Sequence, residues 1–203
     1  MEKKTETHIL VGLTGQRYIF TRAAGCLLQA AVEAPSFGYK INFALEMGCE
    51  IASSRNRLAQ MALDKEGVTH LLFVDYDMQF PPGTIKKLLD HDKDIVGASY
   101  NYRNEPPKPP KSTAIPEGVE GTIQPDDLPK VPFKCETLGT GLLLIKTSVL
   151  KKLKQPYFMW GFGANGELRY GEDTFFCQIA KRAGFEVWAD PTLEVKHIGE
   201  QLF

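Results

Sequence analysis

No apolar run in the 203 residues approaches the roughly 20 residues that a membrane-spanning helix needs. The polar start, Met1 to Thr7, lacks the apolar core of a signal peptide. Cysteine is scarce, and Cys26, Cys49, Cys135 and Cys177 form no Cys-x-x-Cys pair. That scatter argues against a zinc site or a disulfide framework and for reduced thiols in a cytoplasmic protein. A charge excess of either sign is also missing, with 24 basic against 25 acidic residues. A balanced chain has no general attraction for nucleic acid or an anionic membrane surface, although local basic faces stay open. No internal repeat is present, and the length suits one domain over residues 1–203.

What the chain does have is an alternation of strand and helix patterns. His8–Thr14 reads as a first strand. Tyr18–Val32 follows as a helix, with apolar Ile19, Ala23, Leu27, Ala30 and Ala31. Lys40–Glu46 alternates Ile41, Phe43 and Leu45 as a second strand. Ser53 or Ser54 is a credible cap for a helix that buries Leu58, Met61 and Ala62 and ends near Gly67. Leu71–Val74 is an apolar run of buried-strand length. Pro82 sits where a first-turn proline belongs, before a short helix over Thr84–Leu89, and Asp94–Ser99 makes another strand. This order predicts an α/β fold, a three-layer α/β/α sandwich around a mostly parallel sheet.

The texture changes near residue 101. Eight of the thirteen prolines fall between Pro106 and Pro132, so an excursion over about 101–137 is expected, a lid or disordered loop with short edge strands. Leu138-Gly-Thr-Gly141 then enters an apolar strand, its glycines permitting close approach of a ligand or another strand. Thr147 could cap a short helix, and Lys146, Lys151, Lys152 and Lys154 form a basic, solvated face. Residues 156–170 are rich in aromatics and glycine, with Trp160 and Tyr170 suited either to stacking on a sugar or base or to closing the core's edge.

Two acidic clusters carry the chemistry. Asp75 and Asp77 end the Leu71–Val74 strand, and i and i+2 in a strand share a face. Paired hard oxygens at the carboxyl end of an α/β strand suit Mg²⁺ or Mn²⁺ with a diphosphate, though acidic residues also simply open loops. Glu172 and Asp173 begin a helix patterned on Phe176, Ile179, Ala180 and Ala183. Carboxylates there stabilise the helix dipole by about 0.3–1 kcal/mol, and the same field keeps a general base ionised. A strand over Glu186–Asp190 and Pro191 lead to His197, which gains meaning only beside Asp77.

Taken in order, these segments resemble the metal-dependent glycosyltransferases of the GT-A fold, particularly family 2. Ser54-Arg55-Asn56 is similar to the Ala-Arg-Asn segment before the metal strand, and Asp75-Tyr76-Asp77 to the Asp-x-Asp motif. Leu138–Gly141 is similar to the small-residue strand, Glu172-Asp173 to the Glu-Asp motif, and Asp190-Pro191 to His197 to the tail that often supplies a metal ligand. The resemblance spans residues 8–199. It implies a nucleotide-diphosphate sugar as donor, with UDP expected, and Mn²⁺ or Mg²⁺ as cofactor. The acceptor is a hydroxyl on a glycan, small molecule or modified nucleobase. Asp77 and His197 would bind the metal, with Asp75 at the ribose or reaching the ion through water. Thr14, Glu46, Arg55 and Tyr76 would line the nucleotide-sugar site. Asp173 would be the base of an inverting transfer, supported by Glu172, with Trp160 and Tyr170 toward the acceptor. The chain departs from the family at Thr14-Gly-Gln-Arg17 and at Glu46, where runs that hold the base are usual. A nucleotidyltransferase of similar fold and a non-catalytic nucleotide-sugar-binding module are the alternatives, and the oligomeric state is left open.

Overall fold

The computed structural model describes residues 6–15, 18–47, 50–102 and 111–198. Its elements are β1 (Thr7–Gly15), α1 (Thr21–Glu33), β2 (Tyr39–Met47), α2 (Ile51–Asp64), β3 (His70–Asp75), β4 (Met78–Gln79), α3 (Thr84–Asp90) and β5 (Ile95–Ala98). There follow β6 (Ala114–Pro116), β7 (Phe133–Leu138), β8 (Leu142–Lys146), α4 (Thr147–Lys152), β9 (Gly161–Phe162) and β10 (Leu168–Tyr170). The last are α5 (Glu172–Arg182), β11 (Val187–Asp190) and β12 (Lys196–His197).

Eight strands make one sheet in the order β2-β1-β3-β8-β5-β11-β7-β6. All but β8 and β7 run the same way. The central strands are buried on both faces, so their alternation sorts side chains between two cores. Leu71 and Phe73 of β3 join Leu143 and Ile145 of β8 under α2, α4 and α5. Leu72, Val74, Leu142 and Leu144 point the other way, onto Leu27 and Ala30 of α1 and Ile85 and Leu88 of α3. Phe158 anchors the first core, its ring edge-on to Phe73 at 5.2 Å and stacked on Phe176 at 4.9 Å.

Several expectations give way locally. Glu50, not Ser53 or Ser54, caps α2: its carboxylate accepts from the amides of Ala52 and Ser53. A carboxylate gains more than a hydroxyl from the amides and dipole of a helix start. The helix accordingly begins earlier and leaves Met61 exposed. Pro82 lies before α3, because Gly83 at φ +76° turns the chain first. Thr147 begins α4 but does not cap it; its hydroxyl donates to the carbonyls of Val68 and Thr69. Lys146, placed on a solvated face, forms ion pairs with Asp92 and Asp94.

The described part of the proline-rich stretch runs as turns and irregular chain over residues 117–132, and it supplies the expected short edge strand as β6. Its β6 and β7 extend the main sheet, with Pro116 on the edge strand where a missing amide hydrogen does no harm. Its Pro106–Pro110 run lies outside the described residues. Truncating the buried ring between Phe73 and Phe176 tests the packing: Phe158→Ala is expected to cost about 3–5 kcal/mol in urea unfolding.

Candidate active site

Three parallel strands deliver one row of polar side chains at their carboxyl ends. Register pairs Thr14 of β1 with Glu46 of β2 on one side and with Asp75 of β3 on the other. The buried Thr14 hydroxyl donates to Asp75 Oδ1 at 2.6 Å. From α2, Arg55 enters beneath this row, only 3% exposed. Its Nη2 stands 3.2 Å from Asp75 Oδ1 and 3.4 Å from Oδ2. Its Nε donates to Glu172 Oε1 at 3.2 Å. The guanidinium also lies 5.5 Å from the centre of the Phe73 ring, a cation–π distance. Burial acts against its charge, but Asp75 and Glu172 outweigh that and hold its pKa above the ordinary value. Arg55 thus faces carboxylates and stands beneath the row, whereas the sequence places it at the nucleotide.

The two aspartates of Asp-x-Asp do not share one strand face, as the i, i+2 pattern predicts. The strand ends at Asp75, and Asp77 lies in the turn after it, 1% exposed. Asp75 is drawn toward Thr14 and Arg55. Asp77 is drawn toward the tail, its carbonyl accepting from Ile198 N at 2.8 Å. The β12–β4 ladder places His197 opposite Met78, so the tail histidine does reach the neighbourhood of Asp77. His197 Nδ1 lies 2.7 Å from the Asn101 carbonyl, which puts the proton on Nδ1 and a lone pair on Nε2 of the neutral ring. Among the described residues no group of three or more His, Cys, Asp or Glu side chains is close enough to hold an ion. A hard oxygen at Asp77 with a histidine nitrogen nearby still fits Mn²⁺ or Mg²⁺, provided ligand phosphate and water complete the coordination.

Glu172 and Asp173 occupy the first turn of α5. Burial raises the Glu172 pKa, against the pull of Arg55, and neighbouring Asp173 raises it further. Burial likewise raises Asp173, opposed by the Thr174 amide, which donates to its Oδ1 at 2.7 Å. A carboxylate lifted this way is a stronger base than an exposed one. Trp160 borders Gly171 just before α5, and its indole nitrogen donates to Glu50. Tyr170 packs across Gly161 in the β9–β10 hairpin, so the hairpin that carries Tyr170 adjoins the start of α5. Tyr76 stacks on Phe20 at 5.8 Å and occupies the space a side chain at Gly15 would fill. With Gly12 packed against Leu58 and Leu71, both glycines of the first strand serve packing and not a phosphate cradle.

Sequence reasoning missed Tyr102, Glu50 and the part played by Tyr100, and placed Asn56 in the Ser54-Arg55-Asn56 segment without a role. The Tyr100 hydroxyl accepts from Gly141 N at 2.7 Å, and a Cβ on Gly139 or Gly141 would collide with it. Those glycines therefore admit a tyrosine and not a ligand. The Tyr100 ring meets His197 edge-on at 4.7 Å. Partial burial and the charges of Asp173 and Glu172 push Tyr102 up to about 12. Both tyrosines follow the carboxyl end of β5, the same rule that singled out Asp75. Asn56 ties α2 to the Tyr157–Phe158 backbone through three hydrogen bonds of 2.7–3.2 Å and donates a fourth to Ala52 O of its own helix.

Arg55→Met tests the network. Without the cation, buried Glu172 is left uncompensated beside half-buried Asp75, which is expected to cost about 3–5 kcal/mol at neutral pH. Glu172, whose pKa burial already raises, loses the cation that opposes the rise, so stability falls as pH climbs through its raised value. The deficit should shrink as pH is lowered toward about 4, measured by urea unfolding across pH.

No protein-family model matches the sequence, and no curated protein matches it. Solved structures do. The A197 protein from STIV superposes with a TM-score of 0.62 at 18% identity, covering 96% of this chain and 86% of that one. GalNAc-T7 with UDP, GalNAc and Mn²⁺ gives 0.56 at 12% identity, with 98% of this chain spanning 45% of that one. A mutant Drosophila β-1,4-galactosyltransferase 7 with manganese, UDP-Gal and xylobiose gives 0.51 at 14% identity, covering 96% and 71%. At these identities the likeness is one of fold, and the fold is that of GT-A glycosyltransferases.

Proposed function

We propose that this chain is a metal-dependent glycosyltransferase that moves a sugar from a nucleotide-diphosphate donor, UDP by preference, to an acceptor hydroxyl. One observation carries the reading. Arg55 joins the Asp75 strand end to Glu172, 117 residues away, so both acidic clusters meet at the carboxyl end of the sheet. Two of the solved neighbours, GalNAc-T7 and the β-1,4-galactosyltransferase, hold UDP or UDP-Gal with manganese on the same fold, which supports the donor and the ion.

Asp77 and His197 are the residues that would hold Mn²⁺ or Mg²⁺, and the bound ion would supply Lewis-acid neutralisation of the diphosphate leaving group. The rest falls to the protein. Asp75, steadied by Thr14 and Arg55, presents its carboxylate toward the donor ribose. Glu46 and Tyr76 border the nucleotide side. Arg55 is a positioning residue, reassigned from direct nucleotide contact by its burial among carboxylates. Asp173 takes the acceptor's proton as its oxygen attacks the anomeric carbon, the arrangement of an inverting transfer. Glu172, paired with Arg55, sets the first turn of α5 so that Asp173 faces the acceptor. Trp160 and Tyr170 offer aromatic faces for a sugar ring or a modified nucleobase. Among the described residues no helix is long and apolar enough to cross a membrane.

Asp77→Ala is expected to lose Mn²⁺-stimulated hydrolysis of a UDP-sugar by roughly 100-fold or more and to weaken Mn²⁺ binding in calorimetry. Unchanged binding would remove Asp77 from the metal site. Asp173→Asn should keep donor affinity and lose transfer. In the parent enzyme the rate should rise with pH through the elevated Asp173 pKa, because only the ionised form accepts a proton, and the variant's residual rate should lack that limb.

A further inference from the structure

The outer edge of the sheet is a nine-residue strand with little to protect it. Among the described residues β2 ends the strand order, with β1 on one side and no strand on the other. Its register with β1 runs through Tyr39–Met47 without a shift, and it holds no proline. Sheet edges are normally blunted by bulges, prolines or short length, because bare amides and carbonyls recruit another strand. The alternation of the strand makes the edge apolar on one face. Tyr39, Ile41, Phe43, Leu45 and Met47 share that face. Tyr39 is buried and Ile41 partly so, but Phe43 is 40%, Leu45 57% and Met47 51% exposed. Half of the face is therefore sunk and half protrudes.

Beside the sunken half runs an open groove of about 550 Å³, bordered by Ala31, Ala34 and Pro35 behind α1 and by Tyr39, Ile41 and Phe43 of the strand. An antiparallel copy of β2, laid along the edge with Phe43 on the two-fold axis, brings complementary halves together. Phe43 then faces its own counterpart, Leu45 faces Ile41, and Met47 faces Tyr39. The protruding side chains of each copy lie over the groove of the other. On the opposite face Lys40 falls opposite Glu46, a cation against an anion at each end of the ladder. Lys40 also meets Glu6 of its own chain, and Glu46 meets Arg57. Pairing with any other register would break the match of Lys40 with Glu46.

We infer that this edge is a homodimer interface, in which β2 pairs antiparallel with β2 of a second copy and joins the two sheets into one. An isologous pairing closes on itself and consumes the edge, which satisfies both the unpaired backbone and the exposed apolar side chains. The proposal is independent of the glycosyl-transfer reading, because it uses no group that touches donor or acceptor except the charge of Glu46.

Sedimentation equilibrium and crosslinking test it together. The full chain should sediment at twice 22.7 kDa. Leu45→Glu, which sets a carboxylate against Ile41 of the other copy, should sediment at 22.7 kDa with unchanged circular dichroism. Phe43→Cys should form a disulfide-linked dimer with oxidised glutathione well beyond that of the parent chain. Opposite residues of an antiparallel pair lie within disulfide reach, about 4.5–5.5 Å between Cα atoms. Lys40→Cys, which faces Glu46 and not itself, should stay at the parent level. A parent chain that is monomeric at every concentration up to its solubility limit would overturn the inference. So would open polymers, a dimer that survives Leu45→Glu, or a dimer whose Phe43→Cys form does not crosslink. Should Leu45→Glu fail to fold, the contrast between Phe43→Cys and Lys40→Cys still decides the register.

Discussion

A guanidinium buried between two carboxylates holds this site together. Arg55 has exchanged water for Asp75, Glu172, the Thr14 hydroxyl and the face of Phe73. Desolvating such a cluster is expensive, and apolar residues of the same volume commonly do as well or better for stability. What the ion network provides is direction. Its three carriers sit on α2, β3 and α5, elements that meet only in the folded chain, and each hydrogen bond fixes an orientation that apolar packing would leave loose. Arg55 holds the Asp75 carboxylate on the side of Thr14 and ties it to Glu172 in the first turn of α5.

Tyr100 does the corresponding work on the other flank. Its ring lies where Gly139 and Gly141 lack side chains, bonded to the backbone of Gly141 and edge-on to His197. The carboxyl ends of β3 and β5 and the amino end of β8 are thereby knitted together, and the tail strand is placed against β4 with its histidine oriented by Asn101. Acidic groups are thus split into two sets. Asp75 and Glu172 share the single positive charge of Arg55, whereas Asp77 stands in the turn that the tail covers. Burial raises Asp173 toward the range of a working base. A site that divides its carboxylates by environment can assign them different tasks, one to structure, one to cation binding and one to proton transfer.

Much of this was legible before any coordinates. The 2-residue period of the central strands, the 3.6-residue period of α1 and α5, and the order of elements specify an α/β sandwich, because burial on both faces leaves no other arrangement for runs such as Leu71–Val74. The errors were local and have common causes. Ser53 and Ser54 looked like caps because hydroxyls usually are, but Glu50 offers a full charge to the same amides. The glycines before β8 left room for a ligand or another strand, and the tyrosine that follows β5 takes it. The proline-rich stretch read as a lid or disordered loop with short edge strands; β6 is such an edge strand, and the apolar Phe133 and Cys135 begin β7 beside it.

By itself the sequence determined the layers, the sheet's buried strands, and which carboxylates lie at strand or helix ends, since periodicity and end position are one-dimensional properties. Only the tertiary structure decided that Asp75 and Asp77 part company, that Arg55 faces acids instead of phosphate, and that β2 is an edge with half of its apolar face exposed. Those outcomes depend on which elements become neighbours across more than 100 residues of chain, as Arg55 and Glu172 do. Direction of a side chain is set by the neighbour it meets, and no local pattern encodes that.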